Sequence, residues 1–302
     1  MIHIINPFKG SEHHEKVQKI TFESIQRAKQ YEKNVDVDVL VAYFKEDENI
    51  VPDFANKRVL LNRSIQDFFP GSPKKLPLLN ELFEAVKDDE SVDYVIYSNI
   101  DIALYYPFYS AVKEFINHGY DAFVINRRRV SEKYDEVKDI NQIYSEVGKI
   151  HAGYDCFVFK REMIKNFSLG NTCIGIPFVD SVMLFNLIAF CSNFKLFTDK
   201  HLTFHIGFEL IKNWGSKTLV QHNKQEYQKT LKQIKEHINI KNIPASGLPF
   251  FKRHFKWLMN PTIDYRTVAK IDFKQWNDQR YVQEKNKLKG YYEWLQKKVK
   301  LD

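Results

Sequence analysis

Val92-Asp93-Tyr94-Val95-Ile96-Tyr97-Ser98-Asn99-Ile100-Asp101 is the stretch that decides the fold. From Val92 to Tyr97 it is mostly β-branched or aromatic, the composition of a strand buried in a sheet. Ser98 to Asp101 then turns polar, so the strand delivers Asn99 and Asp101 to its carboxyl-terminal tip. Open α/β sheets bind ligands in the crevice beyond such tips. Two short oxygen-bearing side chains, one residue apart, can both reach one hard cation whose shell substrate phosphates complete. The other reading of Asp101 is a turn cap, an ordinary role for Asp.

Working outward, Ile2-His3-Ile4-Ile5 is a short buried strand stopped by Asn6-Pro7; Val35 to Phe44 is a second, and Arg58 to Leu61 a third that ends at Asn62. Ser11 is a candidate N-cap for a helix reaching Tyr31, with Val17, Ile20, Ile25 and Ala28 at helical spacing. Leu76 to Val86 and Pro107 to His118 read as helices, the second closed by Gly119. Asp121 to Asn126 and Cys156 to Phe159 read as strands, Asp180 to Phe190 as a buried helix, and Lys195 to Phe197 with Thr203 to His205 as sheet edges. This alternation predicts an α/β, Rossmann-like fold: a central, mostly parallel sheet flanked by helices.

After Trp214 the character changes. Gln221 to Ile238 and Gln275 to Lys300 read as polar or charged helices, and Pro244 to Pro261 interleaves Phe250, Phe251, Phe255 and Trp257 with Lys252, Arg253, His254 and Lys256. The expected organisation is a catalytic domain over 1–216 and a helical, basic and aromatic region over 217–302. Interleaved rings and cations are what a helix at a membrane surface uses, so an anionic membrane surface stands as a partner of this region. Packing of the same rings back on the catalytic domain is the alternative.

The chain has 302 residues, a formal charge of +7 and 15% aromatics, with 24 Phe and 16 Tyr. A basic balance favours phosphorylated small molecules, anionic lipids or nucleic acid. Nucleic acid is set aside, because no zinc-ligand spacing, recognition-helix pattern or RNA-stacking motif accompanies the charge. Cys156, Cys173 and Cys191 are odd in number and lie among apolar residues, which predicts buried thiols. Met1 opens directly onto a strand rather than a secretory leader, and Val182 to Phe190 is too short to span a bilayer. The expected location is cytoplasmic, with a peripheral place at the inner face of a membrane.

Three further segments carry chemistry. Gly153-Tyr154-Asp155 precedes the strand Cys156 to Phe159; the glycine permits close backbone approach to a ligand, and Asp155 can accept from a sugar hydroxyl or form an Asx turn. Asp180 is either the N-cap of the following helix or a carboxylate at a pocket mouth. His205 ends a strand in Thr203-Phe204-His205-Ile206-Gly207, where it is a metal or phosphate ligand or a satisfied core histidine.

A strand-end Asn-x-Asp, a Gly loop, an Asp at a helix start and a strand-end His, in that order, resemble the GT-A glycosyltransferases over residues 1–215. The resemblance implies a divalent cation, Mn²⁺ or Mg²⁺, held by Asp101, Asn99 and His205 against the donor diphosphate. It implies Asp180 as the general base of an inverting transfer. Asn99 stands where the family has Asp, and Val179 rather than Glu precedes Asp180. Asn6, Pro7, Phe8, Asn62 and Lys75, beside Lys74, are the candidates for holding the nucleotide sugar, with a UDP-sugar as the expected donor. Arg127, Tyr154, Asp155 and Trp214 are the candidates for the sugar or a saccharide or lipid-linked acceptor. A sugar-phosphate nucleotidyltransferase is a rival, though Asn6-Pro7-Phe8-Lys9-Gly10 is a poor phosphate loop. A non-catalytic glycan- or membrane-associated protein on a degenerate form of the fold is the other.

Overall fold

The structure is a computed structural model describing residues 1–302 except 32–34, 152, 208–215, 276–278 and 300–302. It divides into two compact units, Met1–Ile234 and Lys235–Asp302.

The first unit contains β1 (Ile2–Ile5), α1 (Glu12–Tyr31), β2 (Asp38–Tyr43), β3 (Lys57–Leu60), α2 (Leu79–Glu84), β4 (Tyr94–Ser98) and β5 (Ala103–Leu104). It continues with α3 (Phe108–Asn117), β6 (Ala122–Ile125), β7 (Arg128–Val130), α4 (Ile140–Ser145), β8 (Lys149–Ile150) and β9 (Cys156–Lys160). α5 (Val179–Phe190), β10 (Phe194–Phe197), β11 (Thr203–Ile206) and α6 (Lys217–Ile234) complete it. A seven-stranded sheet runs β10-β6-β9-β4-β1-β2-β3. β9 is antiparallel to both neighbours, β4 and β6, while the other pairs are parallel. The expected Rossmann-like sheet flanked by helices is what these residues form.

Side chains alternate across this sheet as its period of two requires. Val39, Val41, Ile96, Phe123, Ile125 and Val158 pack with Ile25 and Ala28 of α1 and Phe108, Tyr109 and Val112 of α3. Tyr97 and Phe159 point the other way, where the Phe83 ring of α2 meets them edge-on at 5.6 and 5.5 Å. His3 is a buried tie between layers: Nε2 pairs with Ser98 Oγ at 2.9 Å and Nδ1 with Tyr109 Oη at 2.8 Å. Burial lowers its pKa to about 3, so the imidazole is neutral there.

A second sheet, β5-β11-β7-β8, stands apart from the first. β11 is therefore not the sheet edge its sequence suggests, because β5 and β7 flank it on both sides. Gly119 closes α3 at φ +85°, with its N–H donating to the Ile116 carbonyl at 2.9 Å, as its sequence position requires. Gly119→Ala is expected to lose about 1 kcal/mol in a urea titration, because Ala resists that backbone region. An unchanged midpoint would refute the assignment. The three cysteines are buried free thiols.

The second unit contains α7 (Phe250–Met259), α8 (Tyr265–Gln275) and α9 (Gln279–Val299). The division falls after Ile234 rather than at the expected 216, because α6 packs its Tyr227 and Leu231 into the first unit beside α5. No helix among the described residues is long and apolar enough to cross a membrane.

Candidate functional site

β4 ends at Ser98 and the chain turns at once, with Ile102 N–H donating to the Asn99 carbonyl at 3.0 Å. Asp101 is the third residue of that turn, so the turn presents it rather than being capped by it. The next two residues to pair, Ala103 and Leu104, meet Phe204 and Thr203 of β11 in antiparallel register. That register explains why His205, a hundred residues away in the chain, reaches Asp101. His205 Nε2 lies 3.2 Å from Asp101 Oδ2, and the Asp101 side chain is 42% exposed. Partial burial would raise the Asp101 carboxyl, but the His205 imidazole and then the Arg127 guanidinium outweigh it and hold it below the usual carboxylate range.

β9 brings in the next group. Because it runs antiparallel, its first residue Cys156 pairs with Ser98 on one side and Ile125 on the other. Its amino end thus lies at the carboxyl ends of β4 and β6, and Asp155 sits beside Arg127. Arg127 Nη1 donates to Asp155 Oδ1. Asp155 is 6% exposed, and its second oxygen is buried with no hydrogen-bond partner. Arg127 Nε and His205 Nδ1 are in the same condition. Burial, with Asp101 adding repulsion, raises the Asp155 carboxyl despite Arg127. Such orphaned polar atoms are rare inside proteins and point to a group that arrives from outside.

His151 belongs to this cluster and was missed in the sequence. Its backbone N–H donates to the Arg127 carbonyl at 3.2 Å, and its carbonyl accepts from Asn126 Nδ2 at 3.2 Å. A Cβ on Gly153 would lie 2.6 Å from His151 Nε2, so the glycine admits this imidazole rather than a ligand. Burial, then Arg127, Arg129 and His205, lower the His151 pKa to about 4. The spacing His151-x-Gly153-x-Asp155 was the available signal.

Asp180 lies in the first turn of α5, whose N-cap is Phe178 rather than Asp180. Its Oδ1 accepts from Ser181 N–H at 2.9 Å. Burial first, and the Asp155 carboxylate second, push its pKa up to about 6 against the pull of Ser181 N–H and Arg127. Phe178 holds the left-handed φ of 78°, costly for a large side chain, and stacks on Tyr227 of α6 at 5.8 Å. Backbone strain at the entry to α5 is thus held in place by α6.

Asp101, His205, Arg127, Asp155 and Asp180 therefore converge, each within reach of a neighbour's charge. Other expected residues stand differently. Asn99 Oδ1 accepts from Tyr97 Oη at 3.4 Å. Asn6 is buried and donates to the Ala42 carbonyl at 2.6 Å, tying β1 to β2. Pro7 is buried beside it, while Phe8 is 38% exposed and 5.5 Å from the His14 ring. His14 in turn feels both Asp101 and Lys74. Lys75 pairs with Glu46 at 2.8 Å and lies over the Phe44 ring, and Asn62 is exposed after β3. Tyr154 is 3% exposed, a core ring rather than an open stacking surface. Trp214 lies outside the described residues. A cavity of about 510 Å³ opens at the amino ends of β1 and β4, lined by Met1, Asp93 and Arg161 among others, and shares no residue with this cluster.

Asp101 and His205, one carboxylate and one imidazole, are the pair here that could ligate a divalent cation. Cis ligands of an octahedral ion at about 2.1 Å stand about 3 Å apart, close to the Asp101–His205 separation. One carboxylate and one imidazole leave room for substrate oxygens and water. No group of three or more His, Cys, Asp or Glu with metal-binding geometry occurs among the described residues.

No family model matches the sequence, and no curated protein matches it. Among solved structures, S. aureus TarS 1–349 in complex with UDP-GlcNAc is similar over 85% of this chain and 73% of that one, at 15% identity and TM-score 0.47. The galactosyltransferase LgtC with donor and acceptor sugar analogs covers 76% and 96%, at 8% identity and TM-score 0.38. The 4-diphosphocytidyl-2C-methyl-D-erythritol synthase of Anaerococcus prevotii covers 74% and 97%, at 12% identity and TM-score 0.39. At such scores the likenesses carry no weight for activity, and the function rests on this chain's own residues.

Proposed function

We propose that the chain is a glycosyltransferase of the GT-A type, moving a sugar from a nucleotide-diphosphate sugar, in first place a UDP-sugar, to a hydroxyl of a saccharide or lipid-linked acceptor. The observation that carries the reading is the convergence of Asp101, His205, Arg127, Asp155 and Asp180 beyond the carboxyl ends of the parallel strands. Paired carboxylates with opposite environments are how one site separates a binding role from a base role. Asp101 stays ionised, whereas Asp180 sits near the pH at which a base both holds and releases a proton.

In the reaction the acceptor oxygen attacks the anomeric carbon, the bond from that carbon to the diphosphate breaks, and the nucleoside diphosphate leaves. Asp180 takes the acceptor proton as the new bond forms, which inverts the anomeric centre. Asp155 and Arg127 orient the sugar: the free Asp155 oxygen accepts from a hydroxyl, and the unpaired Arg127 Nε donates. Phe8 offers its exposed ring to the nucleotide base, with Asn62 and Lys75 on the side of the ribose and phosphates and the buried Asn6 and Pro7 fixing the backbone that carries Phe8. Asp101 and His205, with Asn99 as a further candidate ligand, would hold Mn²⁺ or Mg²⁺, which supplies charge neutralisation for the departing diphosphate.

A thermal-shift screen of UDP-, GDP-, CMP- and dTDP-sugars tests this. A donor at about a hundredfold excess over Kd is expected to stabilise the fold by roughly 3 kcal/mol. His205→Ala is expected to erase the extra shift that Mn²⁺ brings, read for each protein as the difference between its own melting temperatures with and without the ion, because the variant also loses the contact to Asp101. Silence across all four donors would sink the proposal. Pyrophosphate release from a nucleoside triphosphate and a sugar phosphate would transfer the site to the nucleotidyltransferase reading.

A further inference from the structure

α7 is built inside out. Its sequence, Phe250-Phe251-Lys252-Arg253-His254-Phe255-Lys256-Trp257-Leu258-Met259, turns the polar residues Arg253 and His254 inward. Both meet the buried Asp272 of α8, Arg253 at 3.0 Å through Nη2 and His254 at 2.9 Å through Nε2. Trp257 faces inward with them and donates to the Pro244 carbonyl at 2.7 Å. The apolar residues point the other way: Phe251 is 66% exposed, Phe255 64%, Leu258 61% and Met259 65%. At about 100° per residue these four occupy one arc of about 100°, and Lys252 and Lys256, both exposed, border it. A helix serving only its own core buries the apolar arc instead.

The distribution of charge says what this face meets. Residues 235–302 hold fifteen Lys and Arg against seven Asp and Glu, a formal charge of +8. Residues 1–234 hold thirty against thirty-one, a charge of −1. The basicity of the protein thus belongs wholly to the second unit. Arg266 and Lys270 of α8 are exposed, and α9 exposes Lys285, Lys287 and Lys289 with Tyr291, Tyr292 and Trp294. Aromatic and aliphatic side chains in one sector with lysines at its margin are the chemistry of a helix lying in the headgroup layer, rings in the acyl boundary and ammonium groups on phosphate. Ten residues bounded by Pro249 and Asn260 are too few to span a bilayer, so such a helix lies in the plane.

We infer that Lys235–Asp302 is a membrane-docking module that seats the Phe251–Phe255–Leu258–Met259 face of α7 in an anionic lipid surface. The inference does not depend on the transferase reading. It is tested by flotation of the full chain with phosphatidylcholine vesicles, with and without about 30% phosphatidylglycerol. At least tenfold enrichment on the anionic vesicles is expected, falling at about 0.5 M salt as screening shortens the reach of the lysines. The triple variant Phe251→Ser, Phe255→Ser, Leu258→Ser is expected to lose flotation while keeping its circular dichroism and melting temperature, because these side chains are exposed. Lys252→Glu with Lys256→Glu is expected to weaken flotation severalfold. No flotation of the wild type, or equal flotation of the triple variant, overturns the inference. So does a concentration-dependent dimer that the triple variant dissolves without any vesicle binding, which would make the face a protein interface.

Discussion

Asp180→Asn is expected to lower sugar transfer about a thousandfold, the usual weight of a positioned general base, while leaving the Kd for the donor almost unchanged. Asn keeps the oxygen that accepts from Ser181 N–H, so the start of α5 stays in place. What disappears is the ability to take a proton. The wild-type rate should then rise about tenfold per pH unit below about 6, where Asp180 is protonated, and flatten above it. Stability should move in the opposite sense. The folded-state value of about 6 lies above the unfolded value near 3.8, so the folded state gains stability from the protonated carboxyl at low pH. That gain is lost as the pH rises through 6. Above pH 6 the variant, which has no charge to bury beside Asp155, should melt higher than the wild type, and the difference should shrink towards pH 4. A residue placed for stability behaves in the reverse way, since its replacement costs stability at neutral pH. A variant that transfers sugar normally, or one that melts lower at pH 7, would remove Asp180 from the role of base.

The fold was legible where strands are long enough to show a period. Val92 to Tyr97 and Cys156 to Phe159 announce themselves by composition, and β4 and β9 prove to be central neighbours. Their opposite directions were not legible, because nothing in a run of buried apolar residues encodes the sense of its pairing. β5, β7 and β8 span only two or three residues each, too short for a pattern, yet their sheet is what carries His205 to Asp101. Asn99, Asp101, Asp155, Asp180 and His205 lie at or beside the ends of β4, β9, α5 and β11, elements whose composition is readable in the sequence. That composition could not anticipate that Asn99 leans on Tyr97, or that Asn6 is spent on Ala42. His151 stayed hidden because its importance lies in a contact through Gly153. A Lys- and Gln-rich helix such as α6 reads as an appendage, although Leu219, Asn223, Tyr227 and Leu231 line one buried stripe of it.

Asn223→Ala is expected to cost about 3–5 kcal/mol and to reduce transfer with it, although Asn223 is on α6 and touches no substrate. Its side chain is fully buried and its amide holds the loop that leads into α5. Oδ1 accepts from Cys173 N–H at 3.0 Å, and Nδ2 donates to the carbonyls of Cys173, Ile176 and Pro177 at 2.9, 3.2 and 3.1 Å. Removing it strands several backbone groups away from water, each worth about 1–3 kcal/mol when unsatisfied. These groups end one residue before Phe178, whose left-handed φ needs a surrounding structure that leaves no alternative. With the clamp gone, the relief of that strain favours a different path into α5, and Asp180 moves with it. Asn223→Asp separates the two effects. It preserves the acceptor for Cys173 N–H but turns repulsive oxygen towards three carbonyls, so it should destabilise at least as much as Ala despite its matching shape. Asn223→Gln, with the same amide one methylene further out, is expected to overfill the site and recover neither stability nor rate. The measurements are urea midpoints for stability and the ratio of kcat to donor Kd for the site. A positioning residue should depress kcat at temperatures where each variant is still folded. If Asn223→Ala lost stability but kept full kcat under those conditions, the loop would be structural only and the geometry at Asp180 would owe nothing to α6.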